Sequence, residues 1–162
     1  MQSTATRDVT TKSSQRMLRT LTLIILLLLA AQFLVGMLVN LFVVVPSNHP
    51  GTGAPEYFSG VVTGVLWVLG QGTLWLLLHA IIGLSLFLAS LILLGLAIAS
   101  RRRAWIISSI VGLLGIVAAG FNGASFMNYG HNFSSLLMSI GFLLSAVPYT
   151  IGLSLGVRRS DV

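Results

Sequence analysis

Two histidines are the residues of this chain best suited to chemistry. His79 lies about six residues inside a long apolar run that begins near Thr73, and His131 stands at the start of the last apolar run. An ionisable ring inside a membrane segment is costly, so a functional role is its default hypothesis, and neutral imidazole is a common ligand of haem iron. We therefore expect these two rings to be candidate ligands of a bound metal cofactor.

Three further residues complete this candidate site. Gly83 follows His79 by one helical turn, and Gly141 lies near the helix face of His131, so both would leave room for a flat macrocycle. Met138 follows His131 by one to two turns and is either an alternative ligand or a core residue. The prediction is a haem b site with His79 and His131 on the iron. The competing interpretation is that His79 makes only a structural hydrogen bond.

No residue set suited to hydrolysis or coupled transport accompanies the histidines. The chain has no cysteine, which removes thiolate chemistry, and Glu56 is the only acid between the first and last apolar runs. No serine is spaced with a histidine and an acid in the manner of a catalytic triad, and no charged side chain lies within an apolar run. We therefore expect no catalytic residues, and a transporter is the third and weakest hypothesis.

The composition is that of an integral membrane protein. Hydrophobic residues make up 56% of the 162 residues and charged residues only 7%, far below the roughly one-quarter charged content of soluble domains. The net charge of +6 comes from nine Lys and Arg that all flank apolar runs, so it indicates membrane topology rather than nucleic-acid binding. The lipid bilayer is the predicted partner.

The pattern predicts an all-α bundle of four membrane spans. We expect residues 1–15 to form a disordered tail and a loop dense in Pro and Gly to follow the first span. His49 lies in that loop, where a solvated ring is expected and a role in a site is the minority alternative. Glycines near 70 favour a short interfacial or re-entrant helix at 57–69. The four spans are predicted at 18–45, 73–100, 104–127 and 131–156, within one domain of residues 16–159.

The basic residues also predict an orientation. They precede the first span, separate the second from the third, or follow the fourth, whereas the two opposite loops contain only Glu56 and histidines. The positive-inside rule then places both termini in the cytoplasm and the loops outside. Asn, Gln and His residues concentrate toward the loops, so any site is expected to open outward.

Small residues form stripes along the predicted helices. Gly83, Ser90 and Ala97 share one face of the second span, and Gly115, Ala119 and Gly123 share one face of the third. Gln32, Gly36 and Asn40 lie on one face of the first span, where the amides would hydrogen-bond neighbouring helices. Such stripes allow close helix approach, either inside the bundle or against another subunit or a second copy of the chain.

With these features the chain resembles one four-helix half of heme A synthase, in which histidines on the second and fourth helices face a haem. The matching stretches are Leu-Leu-Leu-His-Ala-Ile-Ile-Gly at 76–83 and Gly-His-Asn-Phe-Ser-Ser-Leu-Leu at 130–137. The chain has Leu76 and Ala80 where that family has an acid and an arginine, and one half-bundle where the family has two. The resemblance therefore implies haem ligation without the catalytic chemistry. Residues 36–40 and 120–126 also resemble stretches of small, uncharacterised prokaryotic multi-pass membrane proteins.

Two functions stay open on this reasoning. The first is a non-enzymatic membrane component, such as an accessory subunit of a larger complex. The alternative is a haem-binding redox protein that uses His79 and His131.

Overall fold

The described part of the chain folds into five helices, four of which are long and apolar enough to cross a membrane. The computed structural model describes residues 2–130 and 132–158, with side chains for 13–130 and 132–155, and within these ranges it contains no strand. The membrane-length segments are Ser13–Phe42, Leu74–Ser100, Arg103–Tyr129 and Asn132–Leu155. The prediction of an all-α multi-pass membrane protein is confirmed. The helices are α1 (Gln2–Phe42), α2 (Tyr57–Gln71), α3 (Leu74–Ser100), α4 (Arg103–Tyr129) and α5 (Asn132–Arg158).

The ends of α1 differ from the predicted span. The helix stops at Phe42 rather than at residue 45, because Pro46 disfavours helical backbone in the residue before it. At the other end α1 begins at Gln2, inside the segment 1–15 for which the sequence predicts a disordered tail. Its membrane-length part starts at Ser13, and the prediction of disorder for the tail stays a prediction.

The extra helix predicted at 57–69 is α2, which extends two residues further. Glu56 caps its start, since the carboxylate accepts hydrogen bonds from the backbone N–H of Phe58 at 3.1 Å and of Ser59 at 2.6 Å. Gly72 ends it by donating its N–H to the carbonyl of Val68. A Cβ added to Gly72 would lie 2.6 Å from that oxygen, so only glycine permits this tight break before α3.

The turn between α3 and α4 lies at one end of the bundle, here called the basic end. Arg101 closes α3 in the left-handed conformation, with φ 55°, and donates its N–H to Ile98. The Gln15 side chain lies against the Arg102 guanidinium, with the amide oxygen as acceptor, which ties α1 to this turn. The opposite end, which contains loop 46–56 and α2, is called the loop end.

The four long helices form a ring in the order α1, α3, α4, α5, and α5 closes the ring onto α1. No described residue of α3 comes within 8 Å, Cα to Cα, of α5, so these two helices lie on the diagonal of the bundle. The core is a set of apolar side chains contributed by all four helices and buried between them. Its members are Leu18, Ile25, Leu29, Leu86, Leu93, Ala97, Trp105, Ile116 and Tyr149.

Glycine contacts make α4 and α5 the most closely packed pair. A Cβ added to Gly115 would lie 2.7 Å from the Gly141 carbonyl oxygen, and one added to Gly141 would lie 2.8 Å from the Gly115 oxygen and 2.9 Å from the Ala119 nitrogen. The predicted close approach along the stripe that contains Gly115 and Ala119 therefore occurs inside the bundle. Backbone contact of this kind is typical of small-residue faces in membrane helices.

Candidate functional site

His79 lies in a notch on α1 at the loop end of the bundle. Its half-buried ring is within hydrogen-bond distance of Gln32, with 3.1 Å between the two Nε2 atoms. A Cβ added to Gly36, one turn further along α1, would lie 2.9 Å from Cε1 of the ring. The face of α1 that contains Gln32 and Gly36 therefore points at α3, as the four-residue spacing predicts.

This His–Gln pair satisfies only part of its hydrogen-bonding capacity. If the Gln32 amide donates to Nε2, the neutral ring carries its proton on Nδ1. Nδ1 of His79 and Oε1 of Gln32 are both buried and have no hydrogen-bond partner among the described atoms. The pair therefore joins α1 to α3 by one hydrogen bond and leaves one donor and one acceptor without a partner among the described atoms.

The other residues of the predicted haem site belong to different contacts. Gly83 faces the same Gln32 amide, 3.3 Å from an added Cβ, so side-chain atoms fill the space beside it. Gly141 abuts the backbone of α4, and Met138 Sδ lies 3.3 Å from a Cβ added to Gly123. Gly83 and His79 therefore both contact Gln32, whereas Met138 and Gly141 pack α5 against α4.

The described residues do not fit a haem in this arrangement. His79 Nε2, a usual iron-binding atom, is engaged by Gln32, and Gly141 leaves no gap for a macrocycle. His131 lies outside the described residues. Within the described side chains no group of three or more His, Cys, Asp or Glu is placed to hold a metal ion. Ligation by His79 and His131 stays a prediction that this geometry does not support.

The expectation that His49 is solvated is wrong, since its side chain is only 5% exposed. Nδ1 lies 2.9 Å from the Pro50 carbonyl oxygen and Nε2 lies 3.1 Å from that of Met127. The ring stacks on Trp67 with centroids 4.9 Å apart. His49 therefore joins the loop, α2 and the last turn of α4, a role that its position between two prolines did not reveal.

The two carbonyls beside His49 can only accept hydrogen bonds. Which ring nitrogen donates therefore depends on the tautomer of the imidazole. Met127 lies in the last turn of α4 and Trp67 lies on α2, so the ring contacts both helices at once. The arrangement is a structural clamp rather than an exposed base.

The loop packs under α2 because glycines line both surfaces. Gly51 has φ 97°, a left-handed conformation, and a Cβ there would lie 2.9 Å from the Gly64 nitrogen. Gly60 and Gly64 form the buried face of α2 and cover Asn128, whose Oδ1 lies 3.0 Å from a Cβ added to Gly64. Asn128 is 3% exposed, and neither polar atom of its amide has a hydrogen-bond partner among the described atoms.

Tyr57 fixes the start of α2 to α4. Its hydroxyl donates to the Phe121 carbonyl at 3.0 Å and lies 2.9 Å from the hydroxyl of Ser125. Its ring is parallel to that of Tyr129, with an interplanar angle of 10°. Tyr57 and His49 together hold α2 across the ends of α3 and α4.

Sequence reasoning missed a group of buried hydroxyls nearer the basic end. The side chains of Ser90, Ser109 and Tyr149 are at most 1% exposed. The Tyr149 hydroxyl faces Ser90 without meeting hydrogen-bond geometry, and Ser109 is likewise unpaired among the described atoms. Gly112 is the residue of the sequence that could have indicated this group, because an added Cβ there would overlap the Tyr149 ring.

The contacts of His79, His49 and Tyr57 at the loop end thus join neighbouring elements of the bundle. Comparison of the chain with protein families, with curated proteins and with solved structures gives no match. The family resemblance drawn from the two histidine stretches therefore stays a prediction.

Proposed function

We propose that the chain is a non-enzymatic component of a larger membrane assembly. The observation that supports this function is that the polar groups best placed for chemistry bond within the chain. His79 contacts Gln32, His49 contacts two carbonyls, and Tyr57 contacts α4. Polar groups that bond neighbouring elements stabilise the bundle, as a scaffold component requires.

The outward face of α2 is the proposed contact with another subunit. Phe58, Val62 and Leu66 are 62%, 58% and 63% exposed, although the edge of the Phe58 ring also contacts Phe121 of α4. With 15 residues α2 is about 22 Å long, which is short of the roughly 30 Å hydrocarbon core. We place it at the membrane interface, where an apolar face needs cover from lipid or from protein.

Site-specific photocrosslinking in native membranes tests this function. A crosslinking residue at Leu66 should give an adduct with another polypeptide. The matched control is Leu88 on α3, with nearly equal exposure at 59%, which should give lipid adducts only. Lipid adducts alone at both positions would contradict the accessory-subunit proposal, and adducts between copies of this chain would identify the assembly as a homo-oligomer.

The haem alternative makes a separate prediction. Protein purified from haem-replete cells would show a b-type Soret band that disappears in His79→Ala and weakens or shifts in His131→Ala. Since Gln32 occupies Nε2 of His79, we expect a colourless preparation that stays colourless after haemin is added. A band lost in His79→Ala would replace the scaffold function with haem binding.

We also propose that the loop end faces outward and both termini face the cytoplasm, which the one-sided Lys and Arg support. The chain has no cysteine, so single cysteines are clean probes. Cysteines at the exposed Thr52 and Ser59 should react with an impermeant thiol reagent on intact cells, and one at Ser160 should not. Labelling at Ser160 alone would reverse the orientation.

A further inference from the structure

A groove of about 460 Å³ runs between α1 and α3 from the basic end into the membrane-length part of the bundle. One wall is a continuous face of α1, with residues three or four positions apart, and the other is a shorter apolar strip of α3. The residues that line it are Ser13, Arg16, Met17, Thr20, Leu21, Ile24, Ile92 and Leu96.

The polarity of this groove changes along its length. Ser13 and Arg16 lie at the mouth, and Leu21 and Ile24 lie deeper on α1. From Arg16 to Ile24 is eight residues, or about 12 Å of helix, most of the depth of one leaflet of a roughly 30 Å hydrocarbon core. A charged mouth followed by an apolar channel of this length matches a phospholipid, with its headgroup at the surface and an acyl chain below.

The charge at the mouth selects the headgroup. Arg16 is exposed, and Glu56, the one acid whose side chain the structure describes, lies at the opposite end of the bundle. Arg19 and the arginines at 101–103 share this end and raise the local positive potential. Gln15 contacts Arg102, so that guanidinium already has a partner while Arg16 faces the groove. Basic side chains at the membrane surface attract anionic lipids by about 1 kcal/mol each.

We propose that this groove is a binding site for one anionic phospholipid from the leaflet at the basic end. The Arg16 guanidinium binds the phosphate, beside the hydroxyl of Ser13. One acyl chain lies along Leu21, Ile24 and Ile92. The site is distant from α2, so it does not depend on the proposed subunit contact, and it holds whichever side of the membrane the basic end faces.

Native mass spectrometry of the full chain in detergent measures this binding directly. The probes are dioleoyl phosphatidylglycerol and dioleoyl phosphatidylcholine, which have the same chains, and glycerol 3-phosphate, which has none. Phosphatidylglycerol should bind about fivefold more tightly than phosphatidylcholine, and Arg16→Gln should remove that preference. Arg103→Gln is the matched control, because Arg103 is an exposed arginine at the same end that does not line the groove.

A second variant tests the acyl-chain channel. Ile92 is 58% exposed, so Ile92→Trp should leave the fold intact while it fills the groove and weakens both lipids. Glycerol 3-phosphate should not displace phosphatidylglycerol. Equal losses in Arg16→Gln and Arg103→Gln would overturn the proposal in favour of general charge attraction. Unchanged binding in Ile92→Trp, or displacement by glycerol 3-phosphate, would overturn it by showing that no chain occupies the groove.

Discussion

The α4–α5 and α1–α3 helix pairs both pack closely, but the atoms in contact differ. Between α4 and α5 the backbones touch, because Gly115 and Gly141 face each other. Between α1 and α3 a side-chain pair fills the space, since the His79 ring rests on Gly36 and bonds Gln32. The first contact leaves no room for a side chain at Gly115 or Gly141, and the second depends on the side chains of His79 and Gln32.

The difference shows where this fold tolerates change. In lipid the packing of helices depends on van der Waals contact and interhelical hydrogen bonds, because lipid and apolar side chains are equally apolar. A backbone contact cannot adjust to an added side chain, whereas a polar pair can be replaced by apolar groups of similar shape. We therefore expect α4–α5 to be sterically strict and α1–α3 to be chemically replaceable.

The largest expected effect is at Gly115. Gly115→Leu should destabilise the bundle by about 3 kcal/mol or more, because the new side chain meets the Gly141 carbonyl and can be accommodated only if the helices separate. Thermal unfolding in detergent measures this effect. Gly120→Leu is the matched control on the same helix, since a Cβ there meets nothing within 4 Å. Similar losses in both variants would show that helix propensity, not the contact, is responsible.

What each glycine faces determines how much a leucine should cost at the positions where the sequence predicts close packing. The sequence predicts that leucine at Gly83 or Gly123 would block close approach, but both face flexible side chains, Gln32 and Met138, at 3.3 Å. Gly83→Leu and Gly123→Leu should therefore cost less than Gly115→Leu, about 1 to 2 kcal/mol in the same thermal unfolding measurement. If Gly83→Leu costs as much as Gly115→Leu, the contrast between the α1–α3 and α4–α5 contacts fails. If Gly123→Leu does so, the α4–α5 contact is strict at Met138 as well as at Gly141.

A smaller effect is expected at the His79–Gln32 pair. His79→Leu and Gln32→Leu should each cost about 1 to 2 kcal/mol, because each leaves the partner buried without its hydrogen bond. The double variant should cost less than the sum by about 0.6 kcal/mol or more, the usual size of an interhelical hydrogen bond in membranes. The double-mutant cycle is measured by unfolding in detergent. Strict additivity would mean that the 3.1 Å contact carries no coupling.

Much of this fold follows from the sequence, because in lipid the length of an apolar run and its flanking charges are strong constraints. The four spans and the extra helix at 57–69 were predicted close to the observed bounds. The face of Gln32 and Gly36 also followed from helical spacing. These features are predictable because each depends on the sequence of a single helix.

The candidate site was less predictable, since it depends on which helices are neighbours. The sequence places His79 on a helix face but does not say which helix that face meets, and in the structure His79 contacts Gln32 on α1. His49 shows a second limit. Its burial depends on a loop that folds under α2 through Gly51, Gly60 and Gly64, a tertiary contact that loop composition does not encode.

The smallest expected effect is at the start of α2. This helix packs on the end of the bundle and belongs to neither the α4–α5 nor the α1–α3 contact. Tyr57→Phe keeps the ring contacts with Phe121 and Tyr129 and removes the hydroxyl that bonds the Phe121 carbonyl. The loss should be about 0.5 to 1.5 kcal/mol. It should appear as faster hydrogen exchange in residues 57–71, with α3 unchanged, because the bundle does not depend on α2.

Ser59→Ala is the control for that measurement. Ser59 lies on the same turn of α2 and is exposed, and the contact that caps the helix uses its backbone N–H, which the substitution keeps. Exchange in Ser59→Ala should match the unaltered protein. Faster exchange that spreads into α3 and α4 in Tyr57→Phe would make α2 part of the cooperative bundle rather than an element attached to it.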